Sequence, residues 1–129
     1  MASVYAATHR NGSRAALKIL HVEFAADDAL RTRFVREGYV ANRVDHPGRV
    51  AVLDDDVTEQ GAPFLVMELL EGETLRHRAH RETCISPPAA LHIAAEVLDT
   101  LEPFHKQRVV HRDLKPGNIF LTSDGQVKL

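Results

Sequence analysis

Within the eight residues His111-Arg112-Asp113-Leu114-Lys115-Pro116-Gly117-Asn118, an aspartate is followed two positions later by a lysine and five positions later by an asparagine. That spacing gathers a carboxylate, an ammonium and a side-chain amide into one short loop. Two further charges sit in apolar surroundings. Lys18 stands in Ala15-Ala16-Leu17-Lys18-Ile19-Leu20, apolar on both alternating faces, which predicts a strand buried on both sides with an ammonium inside it. Glu37 lies three residues after Phe34 and four before Ala41, within the apolar stripe of a predicted helix. An unpaired buried charge is costly, so each needs a partner and each could be the other's. Taken alone, Lys18 also reads as a snorkelling lysine and Glu37 as a carboxylate at the stripe's edge.

The elements that must position these residues follow from periodicity and turn chemistry. Val4–Ala7 and Ala15–Leu20 read as paired strands around Asn11-Gly12, a dipeptide that supplies the positive φ of a tight hairpin. Leu30, Phe34, Ala41 and Val44 predict an amphipathic helix from Asp28 to Val44, capped by Asp27 or Asp28 and ended before His46-Pro47-Gly48. Strands are expected at Val50–Leu53 and Phe64–Met67, separated by an acidic stretch and a turn at Gln60-Gly61-Ala62-Pro63. A short helix is predicted over Thr74–His80. A longer one starts at Ser86-Pro87, with Leu91, Ala94, Ala95, Leu98 and Leu101 as its buried stripe. Pro103 should kink or end that helix. Ser123-Asp124-Gly125 reads as a hairpin turn between Ile119–Leu121 and Val127–Leu129.

With 129 residues and 44% hydrophobic content, the chain can build a real core. Sixteen Lys and Arg against 18 Asp and Glu leave a net charge of -2, so no nucleic-acid partner is expected. Cys84 is the sole cysteine, which excludes an internal disulfide and points to a reducing, cytoplasmic setting. No apolar run approaches the roughly 18 residues of a membrane span, so this segment is expected to make no membrane contact.

The octapeptide resembles the catalytic loop of eukaryotic-type (Hanks-type) serine/threonine protein kinases, whose motif set is an established template from which the roles below are inherited. By that resemblance Asp113 is the base that accepts the substrate hydroxyl's proton, Lys115 steadies the transferring phosphoryl group and Asn118 is a magnesium ligand. Lys115 followed by Pro116 is the serine/threonine form of the loop. Lys18 falls where the family keeps its strand lysine, and Glu37 where the next helix supplies the paired glutamate that orients it toward the α- and β-phosphates. Pro63 to Gly72 resembles the strand and hinge between the two kinase lobes, with backbone groups of Glu68 and Leu70 meeting adenine and Met67 guarding the back of the pocket. Val4 and Ala16 look like the roof over the adenine ring and Phe120 like its floor. ATP and Mg2+ are the implied cofactors, and a protein carrying Ser or Thr is the implied substrate. His46, His105 and His111 are expected to be structural.

The implied fold is α+β: an incomplete two-lobe kinase architecture, with a small antiparallel-sheet lobe and one long helix in residues 1–67. Residues 68–129 would hold the hinge and the first part of the helical lobe. Met1-Ala2-Ser3-Val4-Tyr5 matches the tail of the glycine-rich loop, and Val127-Lys128-Leu129 stands just short of an Asp-Phe-Gly motif, so the resemblance is to a kinase domain truncated at both ends. Negligible transfer by these residues alone is the expectation. The alternative is a pseudokinase-like module that binds nucleotide or docks a protein through an uncovered helix face, and a small-molecule phosphotransferase is a third reading. Gly38 within the first helix and Arg108 where a helix-stopping glycine is common depart from the pattern. Substrate identity, regulation and oligomeric state are not fixed by these residues.

Overall fold

Strands β1 (Ala2–Thr8) and β2 (Arg14–Leu20) pair antiparallel around a short loop in which Gly12 takes φ +88°. This is the left-handed conformation that Asn-Gly was expected to supply. The computed structural model describes residues 1–129, in two compact units: Met1–Arg43 with Val50–Leu69, and Val44–Arg49 with Leu70–Leu129.

In the first unit β2 also pairs with β4 (Pro63–Met67), and β4 pairs with β3 (Val52–Val57), giving the strand order β1-β2-β4-β3. The acidic stretch Asp54-Asp55-Asp56, expected as a connector, instead lies inside β3. An edge strand needs hydrogen bonds on one side only, so it can turn charged side chains to water. After the one-turn helix α1 (Val22–Ala25), helix α2 (Asp28–Ala41) begins where predicted: the Asp27 carboxylate accepts from the N–H groups of Ala29 and Leu30 at 2.8 and 3.1 Å. The helix stops at Ala41, three residues short of the predicted Val44, with Asn42 bonded to Val52 through both backbone groups of that residue.

The core of this unit joins Leu20, Phe34 and Leu65, with Phe24, Val35, Val52 and Met67 around it. Leu20 is fully buried and Phe34 is 2% exposed, and removing such a side chain costs about 2–5 kcal/mol. Gly38 has a packing reason: a Cβ there would stand 2.8 Å from Leu65 Cδ1. The missing side chain lets α2 lie against β4.

In the second unit β5 (Gly72–Thr74), β6 (Phe120–Thr122) and β7 (Val127–Lys128) form a small antiparallel sheet. Helix α3 (Leu75–Arg81) is capped by the Thr74 hydroxyl, which accepts from His77 N–H at 3.1 Å. Helix α4 (Pro87–Lys106) begins after Ser86, whose side chain makes no capping bond. Its buried stripe is Ile93, Val97, Thr100 and Leu101, packed on Ile119, Leu121 and Val127. The predicted stripe was wrong in all but Leu101, for Leu91 and Leu98 are 72% and 67% exposed. Apolar residues stand on several sides of α4, and periodicity does not say which side meets the sheet.

Pro103 does not end α4 either. The helix runs on to Lys106, whose ammonium pairs with Glu102 at 2.8 Å. It closes with two reversed bonds, Val109 N–H to Phe104 O and Arg108 N–H to His105 O, each 2.9 Å, around Arg108 at φ +59°. This is the Schellman arrangement, with arginine in the place that favours glycine.

The segment Val44–Arg49 is fastened to α4 and the end of β7. His46 Nδ1 accepts from Gly48 N–H at 3.1 Å, which leaves the proton on Nε2 to be donated to Asp99 Oδ2 at 3.1 Å. Leu129 N–H donates to Gly48 O at 2.8 Å.

Candidate active site

The sheet register of the first unit brings four of the predicted binding residues onto one face. Val4 stands opposite Lys18, Ala16 opposite Met67, and Lys18 opposite Leu65. Cross-strand partners point to the same side, as do alternate residues of one strand. Val4, Ala16, Lys18 and Met67 therefore share the face that α2 covers through Leu65. Ala16 is buried, Lys18 and Met67 are half-buried, and Val4 is exposed. Glu68 is drawn back into this unit: its N–H donates to Ala51 O at 3.0 Å and its carboxylate accepts from Ala51 N–H at 2.8 Å.

The expected ion pair between Lys18 and Glu37 is not made. Lys18 Nζ lies over the Phe34 ring, 5.7 Å from its centroid, a cation–π contact worth about 0.5–1 kcal/mol. Glu37 Oε1 accepts instead from Arg33 Nε at 2.9 Å. Nor is Glu37 buried in the stripe, its side chain being 53% exposed. The buried line of α2 runs through Phe34 and Gly38, and Glu37 falls to its flank. Arg33 is absent from the residues expected to matter, although it carries a visible signal: a cation four residues before a carboxylate on one helix meets it.

In the second unit the predicted catalytic residues are assembled. Lys115 Nζ donates to both Asp113 carboxylate oxygens, at 2.9 and 2.8 Å. Asn118 Nδ2 donates to the Asp113 carbonyl at 2.9 Å and to Oδ2 at 2.8 Å. The loop can make these bonds because Arg112 adopts φ +62°, after which Asp113 N–H turns back to His111 O at 2.9 Å. A non-glycine residue in that region costs free energy, and such strain gathers at functional sites. The single turn of 3-10 helix Pro116–Asn118 and the bond from Leu75 N–H to Ile119 O, 2.8 Å, fix the loop's far end.

The Lys115 ammonium, and after it the Asn118 amide, hold the Asp113 carboxyl below its usual range. The group is therefore a carboxylate through neutral pH, the form that can accept a proton. Because Asn118 spends its amide nitrogen on Asp113, its Oδ1 is left as a hard oxygen donor. No group of three or more His, Cys, Asp or Glu side chains forms a cage for a metal. That donor chemistry fits a cation that keeps water and takes further oxygens from a phosphate ligand, as Mg2+ does. Phe120, two residues beyond Asn118 in β6, is half-buried opposite Lys128.

Comparison with known proteins agrees with this arrangement. A family model described as "Protein kinase domain" matches residues 1–129. The whole chain is 39% identical to the probable serine/threonine-protein kinase SCO3848 of Streptomyces coelicolor, covering 20% of that protein. It is 36% identical to the probable serine/threonine-protein kinase PknB of Corynebacterium glutamicum, covering 21% of it. The chain thus spans about a fifth of the length of these curated relatives. Among solved structures, a point mutant of the PknI kinase domain of Mycobacterium tuberculosis superposes with a TM-score of 0.82 at 33% identity, over the whole chain and 53% of that structure. A two-unit architecture, an assembled Asp-Lys-Asn loop and an end-to-end family match lead to one conclusion: the chain belongs to the protein kinase domain family.

Proposed function

We propose that this chain carries the phosphoryl-transfer core of a serine/threonine protein kinase, passing the ATP γ-phosphoryl group to Ser or Thr hydroxyls of a protein in the cytoplasm. The observation that carries the reading is the bonded set Asp113, Lys115 and Asn118. In it Asp113 takes the proton of the attacking hydroxyl. Lys115, close enough to hold Asp113 now, offers its charge to the phosphoryl group in transfer. Asn118 Oδ1 holds Mg2+, which neutralises charge on the nucleotide phosphates when bound. Lys18 serves the α- and β-phosphates, and Glu37 orients it. Val4, Ala16 and Met67, with Phe120 and the backbone of Glu68 and Leu70, receive adenine. The shared sheet face of Val4, Ala16, Lys18 and Met67 supports that assignment.

A second reading, a module that binds nucleotide or protein without transferring phosphate, is favoured by one observation: Glu37 is held by Arg33 and not by Lys18. Two measurements separate them. MgATP should raise the melting temperature of the 129-residue chain, because a ligand of the native state stabilises it, and Lys18→Met should abolish the rise. Any labelled phosphate passed to a Ser/Thr peptide must vanish in Asp113→Asn. Absence of a melting shift at millimolar MgATP sinks both nucleotide readings. A shift without transfer leaves the binding module.

A further inference from the structure

Helix α3 reads Leu75-Arg76-His77-Arg78-Ala79-His80-Arg81 and holds no acid in its first turn. The two carboxylates that flank it are both engaged. Arg81 Nη2 donates to Glu73 Oε1 at 2.5 Å, and Arg78 Nε donates to Glu82 Oε2 at 3.2 Å. Arg76 takes part in neither pair and is exposed, its guanidinium bonded to nothing else in the chain. A cation in the first turn of a helix stands where the peptide dipoles disfavour it, so α3 itself gains nothing from arginine there.

Arg76 instead borders the catalytic loop. Gly117 lies between Pro116 and Asn118, and the atom closest to where its Cβ would stand is Arg76 Cδ, at 3.9 Å. With no side chain on Gly117, the space beside the arginine stays open. The loop's only acid, Asp113, is committed to Lys115 and Asn118. An uncompensated, planar, five-donor cation thus borders the loop that carries the proton acceptor, and a carboxylate is the group its fork matches.

We propose that Arg76 is a specificity-determining residue that receives the carboxylate of an Asp or Glu close to the phosphoacceptor, so that acidic Ser/Thr peptides are the preferred substrate class. The proposal rests on the kinase reading above and names what that site selects. The pair is exposed to solvent, so discrimination is modest, about two- to fivefold in affinity, and falls as salt screens it.

The test uses the 129-residue chain and fluorescent peptides with one Ser, identical except for Glu, Gln or Arg at each flanking position in turn, read by anisotropy with and without MgATP. The Glu peptide is expected to bind best at one or more positions and the Arg peptide worst. Arg76→Glu should reverse that order. Gly117→Glu, which seats a carboxylate of the chain's own beside Arg76, should flatten it. Far-UV circular dichroism verifies that both variants fold, and the MgATP melting shift should be unchanged in Arg76→Glu. No peptide binding by the unaltered chain, no Glu preference, or an order that survives Arg76→Glu each overturns the proposal. Loss of the MgATP shift in Arg76→Glu overturns it as well, since Arg76 would then serve nucleotide. A missing MgATP shift in the unaltered chain counts against the kinase reading itself.

Discussion

Arg33 holds Glu37, one helical turn further along α2, through an Nε to Oε1 bond of 2.9 Å. The pair is exposed and contributes only about 0.3–0.5 kcal/mol to the helix. Its consequence is occupancy: the carboxylate expected to orient Lys18 has another cation on it. Arg33→Ala should raise MgATP affinity by about two- to fivefold, with little change in melting temperature without nucleotide. Glu37→Ala should lower affinity, and adding Arg33→Ala to it should then do nothing. Equal affinities across the four proteins in a nucleotide titration would separate Glu37 from nucleotide binding.

Asp113 should titrate below an ordinary aspartate, because Lys115 and then Asn118 favour its charged form. A folded value lying under the unfolded one means the group favours the native state at pH above the unfolded value. That contribution disappears as pH falls through the folded value. Carboxyl 13C NMR on the chain should place Asp113 among its lowest-titrating aspartates, and Lys115→Met should move it upward. An unmoved Asp113 would mean that the Lys115 contact is not kept in solution.

Gly48 leaves no room for a side chain: a Cβ there would stand 1.9 Å from Thr100 Oγ1 and 3.1 Å from Thr100 Cβ. Thr100 is 1% exposed and its hydroxyl donates to Glu96 O, so it cannot swing away without losing that bond. Gly48→Ala should destabilise by about 2–3 kcal/mol. Thr100→Ala should recover part of that in the double variant, although alone it costs about 1 kcal/mol. Urea denaturation of the four proteins measures the coupling, and additive losses would refute the clash.

Thr83 and Arg108 adopt φ +58° and +59°. β-Branched threonine tolerates this less well than arginine. Thr83→Asn and Arg108→Gly should each stabilise the chain by up to about 1 kcal/mol, with Thr83→Asn giving the larger gain. A fall in melting temperature for both would show that these backbone angles relax in solution.

What could be read from sequence divides along a physical line. The β1–β2 hairpin, the Asp27 cap and the Ser123-Asp124-Gly125 turn depend on neighbours in the chain, and each formed where its residues indicated. The Asp113–Lys115–Asn118 set was legible for the same reason, since its members lie within six consecutive positions. The failures concern which side of an element meets which neighbour. Leu91 and Ile93 are equally apolar, and only the docking of α4 on β6 and β7 decides that Ile93 is the buried one. Apolar patterning offers Glu37 a strand lysine distant in sequence, whereas the cation that holds it, Arg33, stands one turn away on the same helix. Arg76 is not legible in local sequence, because its setting depends on Gly117, far along the chain, having no side chain.

The three consecutive aspartates of β3 bear on how this protein meets copies of itself. Alignment of a second β3 along that sheet border would set two rows of acidic side chains side by side, a repulsion that opposes strand addition. Ladder extension of this sheet along the β3 border is thereby opposed.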